Sequence, residues 1–167
     1  MSMPLVDRPL SPTELEQFRL ILSTYQDGTG MLALKDGKTL PGWRDFERAI
    51  AVICNGVNQE NKFIFDVLIS DPRDPKIKYG ISCKMRSELR RIQKDGRATI
   101  ELSNSSKKFH DYLAEKKLPT QKQRNNPGKV GEALIELVSR WKKEVDLQNE
   151  GFVNVEKSSY LSLLYDR

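Results

Sequence analysis

The spacing of apolar residues changes along the chain, and the changes mark out its elements. In "SPTELEQFRLILSTYQDG", Leu15, Phe18, Leu22 and Tyr25 recur at helical spacing. Ser11 suits the N-cap, Pro12 the first turn, and Glu14 completes a capping box, so a helix is predicted over 11–27, stopped by Gly28 or Gly30. Residues 28–42 hold four of the ten glycines and read as a loop with a short strand at "MLALK". In "GWRDFERAIAVICNG" the helical period returns. Trp43, Phe46, Ile50 and Ile53 form one stripe, Glu47 lies beside it, and Gly56 ends it. The run "KFIFDVLIS" (62–70) is dense in Phe, Ile and Val and reads as a strand with Asp66 as its polar interruption. After the turn residues "DPRDP", "KIKYGISCKMR" (76–86) reads as a second strand, so the two are expected to form a hairpin.

Downstream, "SELRRIQKDG" predicts a helix closed by Gly96, "RATIELS" (97–103) alternates like a strand, and "NSSKKFHDYLAEKKL" predicts a helix capped by Asn104 or Ser105. Residues 119–128 are polar and read as a mobile segment. "KVGEALIELVSRWKKEVD" is amphipathic, with Val130, Leu134, Leu137, Trp141 and Val145 on its apolar face. The last stretch, "GFVNVEKSSYLSLLYDR", contains two strand-like runs. An apolar run at the very end is expected either of a truncated fragment or of a C-terminal strand tucked into the sheet. Helices interleaved with strands in this order predict an α/β fold: a mixed central β-sheet flanked by helices. The organisation expected is a single domain over 1–167, with a core at about 43–115, the N-terminal helix before it, and a C-terminal helix and strands over 129–167.

Length and composition fit that picture: 167 residues suffice for one domain with a real core, and 31% charged against 38% hydrophobic residues is polar without being disordered in type. No apolar run is long enough to span a bilayer, and "MSMPLVDRPLSPTE" lacks the charged-then-apolar order of a secretory signal, so a cytoplasmic location is expected. Cys54 and Cys83 sit in apolar settings without metal-ligand spacing and read as reduced core thiols. A single histidine, His110, beside Phe109, argues against paired-histidine and zinc chemistries and reads as structural or surface. The net charge of +5 is concentrated. Lys84, Arg86, Arg90, Arg91, Lys94 and Arg97 form one patch, and Lys107, Lys108, Lys116, Lys117, Lys122 and Arg124 a second. Such patches suit a polyanion, nucleic acid first, although solvated helix faces explain them about as well.

Two stretches invite a chemical reading. Gly37-Lys38-Thr39 looks like the end of a phosphate-binding loop, but its first glycine would fall at position 32, which is leucine, so Asp36-Gly37 reads as a turn. The other set is Glu47, Asp66, Ser82 and Lys84. An ionised Asp66 within "FIFDVLI" is costly unless it is paired or binds a cation. On the next strand Ser82 and Lys84 point to one face and Ile81, Cys83 and Met85 to the other, so the polar pair can share a face with Asp66. Asp66 and the Cys83 main-chain carbonyl would suit Mg²⁺, which favours few protein oxygens and keeps waters. Lys84 would orient an attacking water or offset charge on a phosphate.

In that order and with those residues, the chain resembles the PD-(D/E)xK nuclease superfamily, most of all Type II restriction endonucleases. The resemblance covers roughly 43–115 and implies an αβββαβ core and a Mg²⁺-dependent phosphodiesterase acting on double-stranded DNA. Asp66 matches the motif's aspartate, with Phe65 in place of its proline, and Lys84 matches its lysine. Ser82 stands where Glu or Asp is usual, giving a Ser-x-Lys variant. The second acid is then expected from Glu47 or, next in order, from Glu88 at the start of the following helix, with Glu101 third. The resemblance further implies a homodimer, with the helix carrying Trp141 as candidate interface although core packing explains that helix equally well, and a cognate methyltransferase in the cell. DNA contacts are expected from Arg86, Arg90, Arg91, Asn104, Lys107 and Lys108. Two readings compete: a non-catalytic DNA-binding module with a degenerate nuclease fold, and a repair or junction-resolving nuclease.

Overall fold

The computed structural model describes residues 2–34, 36–59, 64–97 and 106–165. The first helix, α1 (Pro12–Thr24), starts where its capping box requires: the Glu14 N–H donates to the Ser11 hydroxyl (3.3 Å), and the Ser11 N–H donates to the Glu14 carboxylate (2.7 Å). Arg8 grips that carboxylate with two further bonds. Phe18 packs edge-on against Phe46, at 5.9 Å between ring centroids, which fixes α1 against α2 (Trp43–Ile53). Leu15, expected on the packing face, is exposed instead. Between the helices lies a two-residue hairpin, β1 (Leu32–Ala33) with β2 (Thr39–Leu40). Gly37 turns it at φ +81°. Thr39 braces the glycine loop, its hydroxyl accepting from the Gly28 and Gly30 N–H groups and donating to the Tyr25 carbonyl.

The main sheet has four strands in the order β3 (Val57–Asn58), β4 (Val67–Ser70), β5 (Lys78–Arg86) and β6 (Ser159–Leu164). The first three run antiparallel, with Val67 opposite Ile81 and Ser70 opposite Lys78, which is the expected hairpin. β6 pairs parallel to β5, from Ile81 opposite Ser159 to Arg86 opposite Leu164. A parallel neighbour needs a crossover. This one carries α3 (Leu89–Asp95), α4 (Ser106–Glu115), α5 (Thr120–Gln123), α6 (Pro127–Val145) and a 3-10 turn (Leu147–Asn149). The fold is therefore mixed α/β, with a mixed sheet flanked by helices.

The strand expected over 97–103 falls, apart from Arg97, outside the described residues, as do Glu101 and Asn104. Among the described residues the strand beside β5 comes from the C-terminal run, whose Leu161 and Leu163 pack on the core, so the elements around β5 extend to residue 164, well beyond 115. The segment read as mobile, 119–128, contains the single turn α5.

Alternation along the strands divides the interior. Val67, Ile69, Ile81 and Cys83 face α2, meeting Phe46 and Ile50. Ile64, Phe65 and Leu68 face the other way, with Val145, Val153 and Trp141. Trp141 also packs on the α4–α6 cluster of Tyr112, Leu113, Leu118, Ala133 and Leu137. The side chain expected at an interface therefore joins two apolar clusters within the chain. Gly80 lies under the Phe65 ring: a Cβ there would sit 2.1 Å from the ring. Both cysteines are buried free thiols. Among the described residues no helix is long and apolar enough to cross a membrane.

Candidate active site

Asp66 sits where the β4–β5 ladder opens. Its N–H still donates to the Ile81 carbonyl (2.9 Å), but the next main-chain donor on that side of β5, the Cys83 N–H, donates to the Asp66 carboxylate oxygen Oδ2 (2.7 Å). A side chain thus replaces the ladder partner, which explains why β4 begins only at Val67 and lets the strands part beside the carboxylate. The Ser82 hydroxyl donates to the same oxygen (3.3 Å). In an extended strand the N–H and C=O of one residue leave on the same side. The Cys83 carbonyl therefore faces the Asp66 side, whereas Arg86 accepts from the Tyr165 N–H on the β6 side.

Beside Asp66 opens a cavity of about 360 Å³ lined by Trp43, Arg44, Glu47, Arg48, Asn58, Gln59 and Asp66. Glu47 reaches it from α2 although the residue is buried overall. Its placement follows from helical spacing: Phe46 and Ile50 point into the core, and Trp43 and Glu47, four residues apart, form the next row round. Arg44 and Arg48 form a third row, and the Arg44 guanidinium lies 4.9 Å from the Trp43 ring centroid. The Cys83 thiol registers the surrounding charges. Burial pushes its pKa well up, the negative charges of Asp66 and Glu47 push the same way, and Lys84 opposes them. Glu47 and Asp66 thus line one cavity, and Lys84 is not among its lining residues.

Ser82, which meets Asp66 across the hairpin, is completely buried, while Lys84 is half-buried. The parallel register sets Tyr160 beside Ser82 and Ser162 beside Lys84. Tyr160 has its pKa raised, first by burial and then by the Asp66 charge. Glu88 sits at the N-cap of α3, paired with Arg91 at 3.4 Å, and is not among the residues lining the cavity.

Of the residues expected to contact DNA, Arg90, Arg91, Lys107 and Lys108 are exposed and Arg86 is half-buried. Lys107 pairs with Asp111 at 3.0 Å on an open helix face. Such a pair contributes little and exchanges readily for a phosphate. His110 is exposed beside Phe109.

Sequence reading missed Arg44, Arg48, Asn58, Gln59 and Tyr160, and assigned Trp43 to the core, where it is 42% exposed. The pairing of Arg44 and Arg48 at helical spacing beside Glu47 was a readable signal for two of them.

Among the described residues no group of three or more His, Cys, Asp or Glu side chains is gathered for a metal. Fold and cavity together define a mixed α/β domain with an acidic, arginine-rimmed cleft at the point where its central hairpin opens. Comparison with known proteins gave no matching family model, curated protein or solved structure.

Proposed function

We propose that this protein is a Mg²⁺-dependent endonuclease that hydrolyses phosphodiester bonds of double-stranded DNA. The reading extends to a Type II restriction enzyme with a restriction endonuclease-like αβββαβ core. The observation that carries it is the convergence of Glu47 and Asp66 on one cavity, with Asp66 tied to the main chain of the strand that bears Lys84. The element order α2, β3, β4, β5, helices, then β6 parallel to β5 supports the same reading.

In the proposed site Asp66, Glu47 and the Cys83 carbonyl hold the cation. When bound, Mg²⁺ acidifies a water and stabilises charge on the scissile phosphate. The Cys83 N–H and Ser82 hydroxyl fix the Asp66 carboxylate, so Ser82 serves as its brace rather than as a second acid. Lys84 orients the attacking water and offsets the charge that develops on the phosphate. Arg44 and Arg48 hold flanking phosphates. Water adds to phosphorus, the bond to the 3′ oxygen breaks, and that oxygen takes a proton, leaving 5′-phosphate and 3′-hydroxyl ends. Cutting both strands of a symmetric site calls for a homodimer, and a restriction enzyme for a cognate methyltransferase.

The test is plasmid cleavage with Mg²⁺ or with EDTA, by the protein and by its Asp66→Ala and Lys84→Ala variants. Discrete fragments that require Mg²⁺ and are lost in both variants support the reading. Cleavage that survives both substitutions sinks the site. A second reading, a DNA-binding module without catalysis, draws on the sealed serine at the motif's acid position. It predicts salt-sensitive DNA binding and no cleavage.

A further inference from the structure

Holding a phosphate needs cations, and Arg44 and Arg48 supply them. Three other residues of the cavity wall have no use in that task. Trp43 is 42% exposed while its stripe neighbours Phe46 and Ile50 are sealed in the core. The Arg44 guanidinium lies over its ring, 4.9 Å from the centroid, and aromatic rings and arginine planes are the groups on which nucleobases stack. Asn58 and Gln59 line the same cavity. Each carries a donor and an acceptor in one plane, the pattern that reads a base edge. A base within a duplex presents only its groove edges, so it reaches an indole face only by leaving the stack. The cavity, about 360 Å³, lies within the size range of sites for one small ligand, roughly 300–1,000 Å³.

We propose that this cavity holds a single nucleotide unstacked from the DNA, its base against the Trp43–Arg44 pair and its edge read by Asn58 and Gln59. The inference rests on the nuclease reading and deepens it. Within double-stranded DNA, cutting is then favoured where the nucleotide next to the cut leaves the stack easily.

The test measures binding by fluorescence anisotropy in EDTA, where cutting plays no part. The probes are a short fully paired duplex and the same duplex with one unpaired nucleotide. The protein is expected to bind the second about tenfold more tightly, a margin within the range of one base stacked on an aromatic side chain. Trp43→Ala abolishes that preference and Trp43→Phe keeps most of it, each read as the ratio of the two affinities for the same variant. Asn58→Ala and Gln59→Ala reduce the preference and alter which unpaired base is favoured. Equal affinity of the parent for both probes, or a preference unchanged by Trp43→Ala, overturns the inference. Plasmid cleavage in Mg²⁺ decides the nuclease reading separately. Cutting without the binding preference sinks only the nucleotide pocket, and preference without cutting sinks only the nuclease.

Discussion

Replacing Asp66 separates two things the residue does. Its Oδ2 accepts from the Cys83 N–H at 2.7 Å and from the Ser82 hydroxyl at 3.3 Å, with both donor residues buried. Asp66→Ala orphans the Cys83 N–H, and a buried donor without an acceptor costs about 1–3 kcal/mol. The Ser82 hydroxyl rotates and recovers part of its own loss, so about 2 kcal/mol in total is expected. In a chain of this size each kcal/mol moves Tm by roughly 2–4 °C, which gives a fall of about 4–8 °C. In urea, with a slope near 2 kcal/mol/M, the midpoint falls by about 1 M. Asp66→Asn keeps an oxygen for the Cys83 N–H and loses only the charge assistance, so it costs about 1 kcal/mol or less. On DNA the order changes. Both variants lack the carboxylate the proposed cation site requires, and Mg²⁺-dependent cleavage falls at least about a hundredfold in each. Thermal melting and urea titration read the first effect, and plasmid nicking in Mg²⁺ reads the second. Asp66→Ala melting with the parent protein would refute the bracing of β5 by this side chain. Asp66→Asn cutting at the parent rate would refute its place in the chemistry.

Restoring an acid at the motif's serine is expected to harm the protein. Ser82 is fully buried, so Ser82→Glu forces bulk and charge beside Asp66 and costs at least about 2 kcal/mol; a variant with parental Tm and faster cleavage would overturn this. Gly80→Ala drives a Cβ to 2.1 Å from the Phe65 ring and lowers stability by about 1–3 kcal/mol. Combining it with Phe65→Leu should recover part of the loss in a double-mutant cycle, and strict additivity would show that the two residues do not press on each other. Acid should weaken the fold through two carboxylates. Arg8 first, then the Ser11 N–H, holds Glu14 down to about 2 from its usual 4.5, and Arg73 first, then Tyr79, holds Asp71 below its usual 3.8. Both pKa values are depressed in the folded state, so their stabilisation is complete above the unfolded values and fades as pH falls from about 4.5 towards 2. Melting curves across that window should drop steadily and drop less steeply in Glu14→Gln; identical slopes would remove Glu14 from the account.

What the sequence made legible is local, and what it hid depends on pairing across long separations. The capping box of Ser11 and Glu14, the α2 stripe of Phe46 and Ile50, and the hairpin from Val67 to Arg86 each declare themselves within a few residues, because period and turn chemistry act at short range. Alternation also placed Cys83 on the core side correctly. Trp43 was misassigned because periodicity gives a direction around a helix and not the width of the surface that covers it. The burial of Ser82 is set at longer range. Alternation put it on the polar face, but whether that face meets water is decided by β6, whose Tyr160 arrives in parallel register 78 residues later in the chain. No local pattern announces such a partner, since a parallel neighbour enters through a crossover whose length the strand itself does not set. The same pairing gives a physical reason for the serine. Position 82 is fully buried beside Tyr160, so a carboxylate there would lie unsolvated beside Asp66, whereas a hydroxyl fits and donates to it. In the proposed site the second negative charge therefore comes from α2, through Glu47, where the cavity is open. Position 82 keeps the one function that burial permits, holding Asp66 in place.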